Sequence, residues 1–188
     1  GTVHELVEPS IQAKGGKIAA TDIVLHHYGN ADPSIAKKKR EFYLELCKKK
    51  AMQKQDASSY YELGVLHKEN NNIEEAIESL KTAVKLNPKH SMALYELGIL
   101  YEKQNKLDEA VKCYTESLKI KENSEAFQSL GVCYMKKGML KEAYRYLVKS
   151  MLLNPNKYTI YNNLGAVMEK IGNFDSAIQM LEIAIKLN

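Results

Sequence analysis

The 188-residue sequence has no tryptophan, three phenylalanines, four prolines and three cysteines, and each shortage excludes something. Cys47, Cys113 and Cys133 form an odd, widely spaced set with no CxxC pair, so neither a disulfide framework nor a thiolate zinc site is encoded. Buried free thiols in a reducing compartment are the expectation, and the cytoplasm is the expected location. No stretch of eighteen uncharged apolar residues occurs, so no membrane span is expected. The opening "GTVHELVEPS" lacks the basic start and apolar core of a signal peptide. Glycine-rich phosphate loops and DxD pairs are also missing. "HELVE" has Glu8 where a zinc-protease helix needs a second histidine.

The net charge of +4 is concentrated. Between residues 37 and 54, eight cations stand against Glu41 and Glu45, a local +6 that leaves the rest at −2. The long C-terminal part therefore carries no nucleic-acid footprint, and the cationic run reads as a solvated helix face.

What is present is a period. Leu63-Gly64, Leu97-Gly98, Leu130-Gly131 and Leu164-Gly165 are separated by 34, 33 and 34 residues. Twelve residues after each glycine stands an alanine (Ala76, Ala110, Ala143, Ala177), and four further on a large residue (Leu80, Tyr114, Leu147, Leu181). A small residue follows (Ala83, Ser117, Ser150, Ala184), and in two units a proline, Pro88 or Pro155. Each unit reads as two amphipathic helices, as in "SYYELGVLHKEN" and "NIEEAIESLKTAVKL". The turn between them needs a residue tolerant of positive φ, and Asn71, Asn105, Gly138 and Gly172 stand there. The second unit is one residue short and has Glu122 where proline is usual, so its exit turn is expected to be irregular.

This pattern resembles the tetratricopeptide repeat, over residues 57–188. The resemblance implies an all-α fold, a right-handed superhelix of four helix-turn-helix units (57–90, 91–123, 124–157 and 158–188). It also implies that the first helix of each unit lines a concave groove. Carried over by position, the groove residues are Tyr61, Val65 and Lys68; Tyr95, Ile99 and Glu102; Gln128, Val132 and Met135; Asn162, Ala166 and Glu169. The first three sets make a mostly apolar strip, suited to an apolar or amphipathic peptide. A clamp for a peptide's terminal carboxylate is not implied, because its Lys/Arg and Asn positions carry Tyr61, Val65 and Glu96. The alternative is that residues 1–33 cover the strip.

A terminal repeat needs a polar outer face. In the last unit Met180 and Ile183 replace Ser79 and Thr82 of the first. The expectation is that the natural protein continues past Asn188 or that a homodimer forms through this unit.

Residues 1–56 lie out of phase with the repeat. "KIAATDIVLHHYG" reads as short strands ending in a turn, and 34–56 as a lysine-rich helix whose apolar stripe is Phe42, Leu46 and Tyr43. His26 and His27 are adjacent, so on a strand they point to opposite faces and cannot chelate one metal. His67 and His90 are isolated and read as surface or packing residues. A second resemblance covers about the first 40 residues: "VHELVEPSI…GGKIAATDIVLHHYGN…KKKR" is similar to the C-terminal end of bacterial family-two glycosyltransferases that carry tetratricopeptide repeats. It implies that His4 and Glu5 match an "HE" near the acceptor site, and that His27 matches a histidine holding the divalent metal on the sugar-nucleotide diphosphate. Asn30 departs from the tyrosine usual there. A metal on a diphosphate needs several hard ligands, so manganese or magnesium is expected only in an intact parent enzyme. The chain itself is expected to need no cofactor and to catalyse nothing.

Overall fold

The computed structural model describes residues 33–188, with side chains from residue 40 onward. Among them are nine helices and no strand: α1 (Pro33–Lys54), α2 (Ala57–Glu69), α3 (Ile73–Leu86), α4 (Ser91–Lys103), α5 (Leu107–Ile120), α6 (Ser124–Lys136), α7 (Leu140–Leu153), α8 (Tyr158–Ile171) and α9 (Phe174–Leu187). The strands expected before residue 33 lie outside the described residues. The chain divides inside α1, into Gly1–Phe42 and Tyr43–Asn188. Of the first unit only the start of α1 is described, opened by Pro33 at a first-turn position where its missing N–H costs nothing.

In the second unit the helices begin and end where local chemistry directs. Asp56, Asn123 and Asn173 accept from the backbone N–H three residues on, at 2.7, 2.7 and 3.1 Å, and His90 Nδ1 does the same at 3.2 Å. Glu74, Glu75, Asp108 and Glu109 sit in the first turns of α3 and α5, where the helix dipole favours a carboxylate. Inside each pair the turn is the same. Asn71, Asn105, Gly138 and Gly172 adopt φ of 61°, 57°, 75° and 86°. The next residue's N–H then reaches back to the carbonyls of His67, Tyr101, Tyr134 and Met168, each at 2.9 Å. The exit from the second repeat, 91–123, is the odd one. Lys121 and Asn123 are extended there and no turn intervenes, whereas turns follow α3 and α7 at 88–89 and 155–156.

Close approach of paired helices explains the Leu-Gly signature. A Cβ on Gly64, Gly98 or Gly131 would lie 2.6, 2.5 or 2.7 Å from Leu80, Tyr114 or Leu147. Neighbouring pairs then bury the outer side of the second helix in each of the first three repeats. Ala76, Leu80 and Ala83 of α3 pack on Ala93, Leu97 and Leu100 of α4. Ala110 and Tyr114 pack on Leu130 and Cys133, and Ala143 and Leu147 on Ile160, Leu164 and Val167. The small residue of the second helix also makes bonds: Ser117 Oγ donates to Ser91 O at 2.8 Å, and Ser150 Oγ to Ser124 O at 2.8 Å. These hydroxyls are buried and satisfied, which is what permits serine there.

At the N-terminal side of the array, Tyr43 and Leu46 of α1 are half-buried, Ala51 is buried and Lys50 pairs with Glu62. Phe42, on the other side of the division, is 42% exposed.

His67 is a packing residue, standing at the repeat position of Tyr101 and Tyr134. It is buried, with Asn72 Nδ2 at 3.4 Å from Nδ1. Burial, then the nearby Lys48, push its pKa below the ordinary imidazole range, with Glu75 opposing. The unfolded chain therefore takes up a proton near pH 6.5 that the folded chain refuses. Stability should hold above that pH and fall as pH drops from about 6.5 towards the folded pKa, by at most about 1.4 kcal/mol per pH unit. His67→Tyr, which restores the repeat residue, should flatten the dependence of urea midpoint on pH between about 7.5 and 5.5.

Candidate functional site

First helices touch their counterparts across units (α4 with α6, α6 with α8), and no comparable contact joins the second helices. The first helices therefore form the inner side of the array. One row on this side consists of Val65, Ile99, Val132 and Ala166, all half-buried and each one residue past a repeat glycine. A second row, three residues before the glycines, is Tyr61, Tyr95, Gln128 and Asn162. Asn162 is exposed and the other three are half-buried.

Several of these side chains serve packing as well. Tyr61 packs on the Ala76–Leu100 cluster and meets the His90 ring at 4.9 Å. Tyr95 and Ile99 pack on the cluster of Ala110, Tyr114, Leu130 and Cys133, with the Tyr95 and Tyr114 rings 5.6 Å apart. Met135 packs on the Ala143–Val167 cluster. Burial pushes the Tyr61 and Tyr95 hydroxyls above the ordinary phenol range. Charged residues at Tyr95 and Ile99 would damage this core, so they are poor probes of the surface. Val65 and Val132 are better ones.

Sequence reasoning placed Lys68, Glu102 and Gln128 along the strip but missed the bonds they make. Lys68 Nζ donates to Glu96 Oε2 at 2.6 Å, and Lys136 Nζ to Glu102 Oε1 at 2.7 Å. Glu102 Oε2 also accepts from the buried Tyr114 hydroxyl at 3.1 Å. Gln128 Nε2 donates to Thr159 Oγ1 at 3.1 Å. These bonds join first helices of successive units, and Glu102 ties the strip to the core. Adjacent repeats present these residues at fixed offsets, but nothing in one unit's sequence marks the partner in the next.

The end of the array differs from the expectation for it. Met180 packs inward on the Ala143–Val167 cluster, and Ile183 is half-buried. The side chains that α9 turns outward are Phe174, Ile178, Leu181 and Ile185. The signal for them lies in the repeat alignment: the first three units cover the residues at the positions of Phe174, Leu181 and Ile185 with the following pair.

Among the described residues no three of His, Cys, Asp and Glu gather as metal ligands, and no helix is long and apolar enough to cross a membrane. Burial pushes the Cys113 thiol up to about 11 and the Cys133 thiol up to about 12, which holds both in the unreactive protonated form. His4, Glu5 and His27 lie outside the described residues, as does any covering of the strip by residues 1–32.

Known proteins agree with this geometry. Models of the tetratricopeptide repeat match residues 61–125, and then 124–157 and 158–188. Neither model describes a catalytic family. A crystal structure of MamA superposes with a TM-score of 0.76 at 21% identity, covering 87% of this chain and 96% of that one. MamA residues 41-end from Desulfovibrio magneticus RS-1 gives 0.75 at 20% identity, over 81% and 88% of the two chains. A chain of the APC/C hetero-tetramer Cut9–Hcn1 gives 0.68 at 21% identity, over 77% of this chain and 28% of that one. At such identities the likeness is one of fold. No curated protein matches the chain in sequence. The repeat geometry and the matched models together place the chain in the tetratricopeptide repeat family.

Proposed function

We propose that this chain is a protein–protein interaction scaffold that holds an apolar or amphipathic peptide along the inner side of its repeats. The observation that carries the reading is the row Val65, Ile99, Val132 and Ala166, which recurs once per unit and is only half-buried, beside tyrosines and paired charges. Apolar side chains entering between these positions would supply affinity, and the Tyr61 and Tyr95 hydroxyls and the Gln128 and Asn162 amides would set direction. Binding of this kind uses no cofactor, and a cytoplasmic location suits the three free thiols.

Peptides selected from a random displayed library against the intact chain test the reading. Val65→Lys with Val132→Lys should weaken the best binders about tenfold or more, while leaving the thermal midpoint within a few degrees. Undiminished binding to that double variant would remove the inner side as the site.

The transferase resemblance of residues 1–40 enters here only as a proposal about origin: this chain is the scaffold portion of a glycosyltransferase and is itself inactive. His4, Glu5 and His27 cannot hold a metal diphosphate without the carboxylate pair that the sequence lacks. Calorimetry with uridine diphosphate sugars and manganese should register no heat of binding. Besides a continuation of the natural protein past Asn188, two occupants compete for the end of the array, a second copy of the chain or a helix of another protein, and charge distinguishes them.

A further inference from the structure

The array contains its own example of how an end is covered. In the second unit Leu107, Val111, Tyr114 and Leu118 receive α6 of the third, around Leu130 and Cys133. Two ion pairs frame this apolar contact: Lys136 with Glu102, and the next residue, Lys137, with Asp108. The fourth unit repeats the receiving set. Phe174, Ile178, Leu181 and Ile185 stand at the four apolar positions, and Glu169 and Asp175 at those of Glu102 and Asp108. The first unit has Lys68 and the third Met135 and Lys141 at these places, so the carboxylate pair belongs to the second and fourth units alone.

In the fourth unit the set is open. Leu181 is 42% exposed where Tyr114 is fully buried, and Ile185 is 77% exposed. Glu169 and Asp175 are exposed and take no ion pair among the described residues. An exposed apolar face beside two carboxylates without an ion pair complements an apolar surface flanked by cations.

We infer that this end of the array docks an amphipathic helix of a partner protein, one with apolar residues at three- and four-residue spacing that ends in two adjacent lysines. The apolar face gives affinity; Glu169 and Asp175 select the lysine pair and orient the helix. A second copy fits less well. Its α6, which has this chemistry, is already packed inside its own array. Two copies meeting face to face would set Glu169, Asp175 and Glu182 of each near the same acids of the other. The surface differs from the inner side, and the inference stands or falls independently of the peptide reading above.

The probe is a peptide with the sequence of residues 123–138, Cys133→Ser to prevent oxidation, and a side-chain lactam on its polar face to hold the helix. Titrated into the intact chain and followed by fluorescence anisotropy, it should bind saturably. Glu169→Lys with Asp175→Lys should weaken binding about tenfold, which two surface pairs turned into repulsions can supply. A peptide with both lysines changed to glutamate should bind the native chain equally poorly and recover on the charge-reversed one. Val65→Lys with Val132→Lys should leave all of this unchanged. Equal binding to native and charge-reversed chains would overturn the inference, as would no saturation by about 1 mM peptide. So would a dimer in sedimentation equilibrium that competes with the peptide and persists after charge reversal.

Discussion

Tyr114→Ala is expected to lower the unfolding free energy by about 3–5 kcal/mol, the range for deleting a large buried aromatic. The ring is fully buried at the centre of the array, between Gly98 of its own pair and the Leu130–Cys133 side of the next. Its loss opens a cavity that two helices cannot both close, and leaves Glu102 with Lys136 alone. Tyr114→Leu is the control. Leucine stands at this position in the other three units, so the cost should stay under about 2 kcal/mol. Urea denaturation of the three proteins checks both numbers, with circular dichroism and tyrosine fluorescence compared for coincidence, because repeat arrays can unfold in parts.

The second large effect is a difference of sign between two identical substitutions. Alanine favours a helix over glycine by about 1 kcal/mol, and Gly98→Ala and Gly165→Ala share that gain. At Gly98 the new methyl group would lie 2.5 Å from Tyr114 Cε1 and 2.7 Å from Cδ1. That ring is held by burial and by Glu102, so overpacking of about 1–3 kcal/mol should prevail and the thermal midpoint fall. At Gly165 the nearest atom is Leu181 Cγ at 3.0 Å, on a half-exposed side chain free to shift. There the propensity gain should win, and the midpoint should rise by about 2–4 °C. Equal falls at both positions would mean that the last helix is as tightly held as the inner ones.

The contrast between these two glycines shows what the sequence discloses and what it hides. Leu-Gly, the alanine twelve residues on and the large residue after it are local consequences of close helix pairing, so the period and the all-α fold are readable directly. The four turn residues are readable for the same reason, since positive φ restricts which side chains fit. The bonds that cross units are another matter. Glu102 and Lys136 are 34 residues apart, and either could face solvent on its own helix. Met180 and Ile183 stand out in the sequence because they replace polar residues of the first unit. The outward face is identified instead by asking which positions the following pair covers, and that leads to Phe174, Leu181 and Ile185. His67 looked unremarkable as a lone histidine, and its burial at an aromatic position of the repeat follows only once the units are stacked.

The inner side of the repeats is where a protein ligand is expected to lie. Amide chemical-shift mapping with the best selected peptide tests that most directly. Shifts should concentrate on the first helices, at Val65, Ile99, Val132, Ala166 and their neighbours, and spare the outer residues of α3, α5 and α7. Shifts confined to the second helices, or to α9 alone, would contradict it.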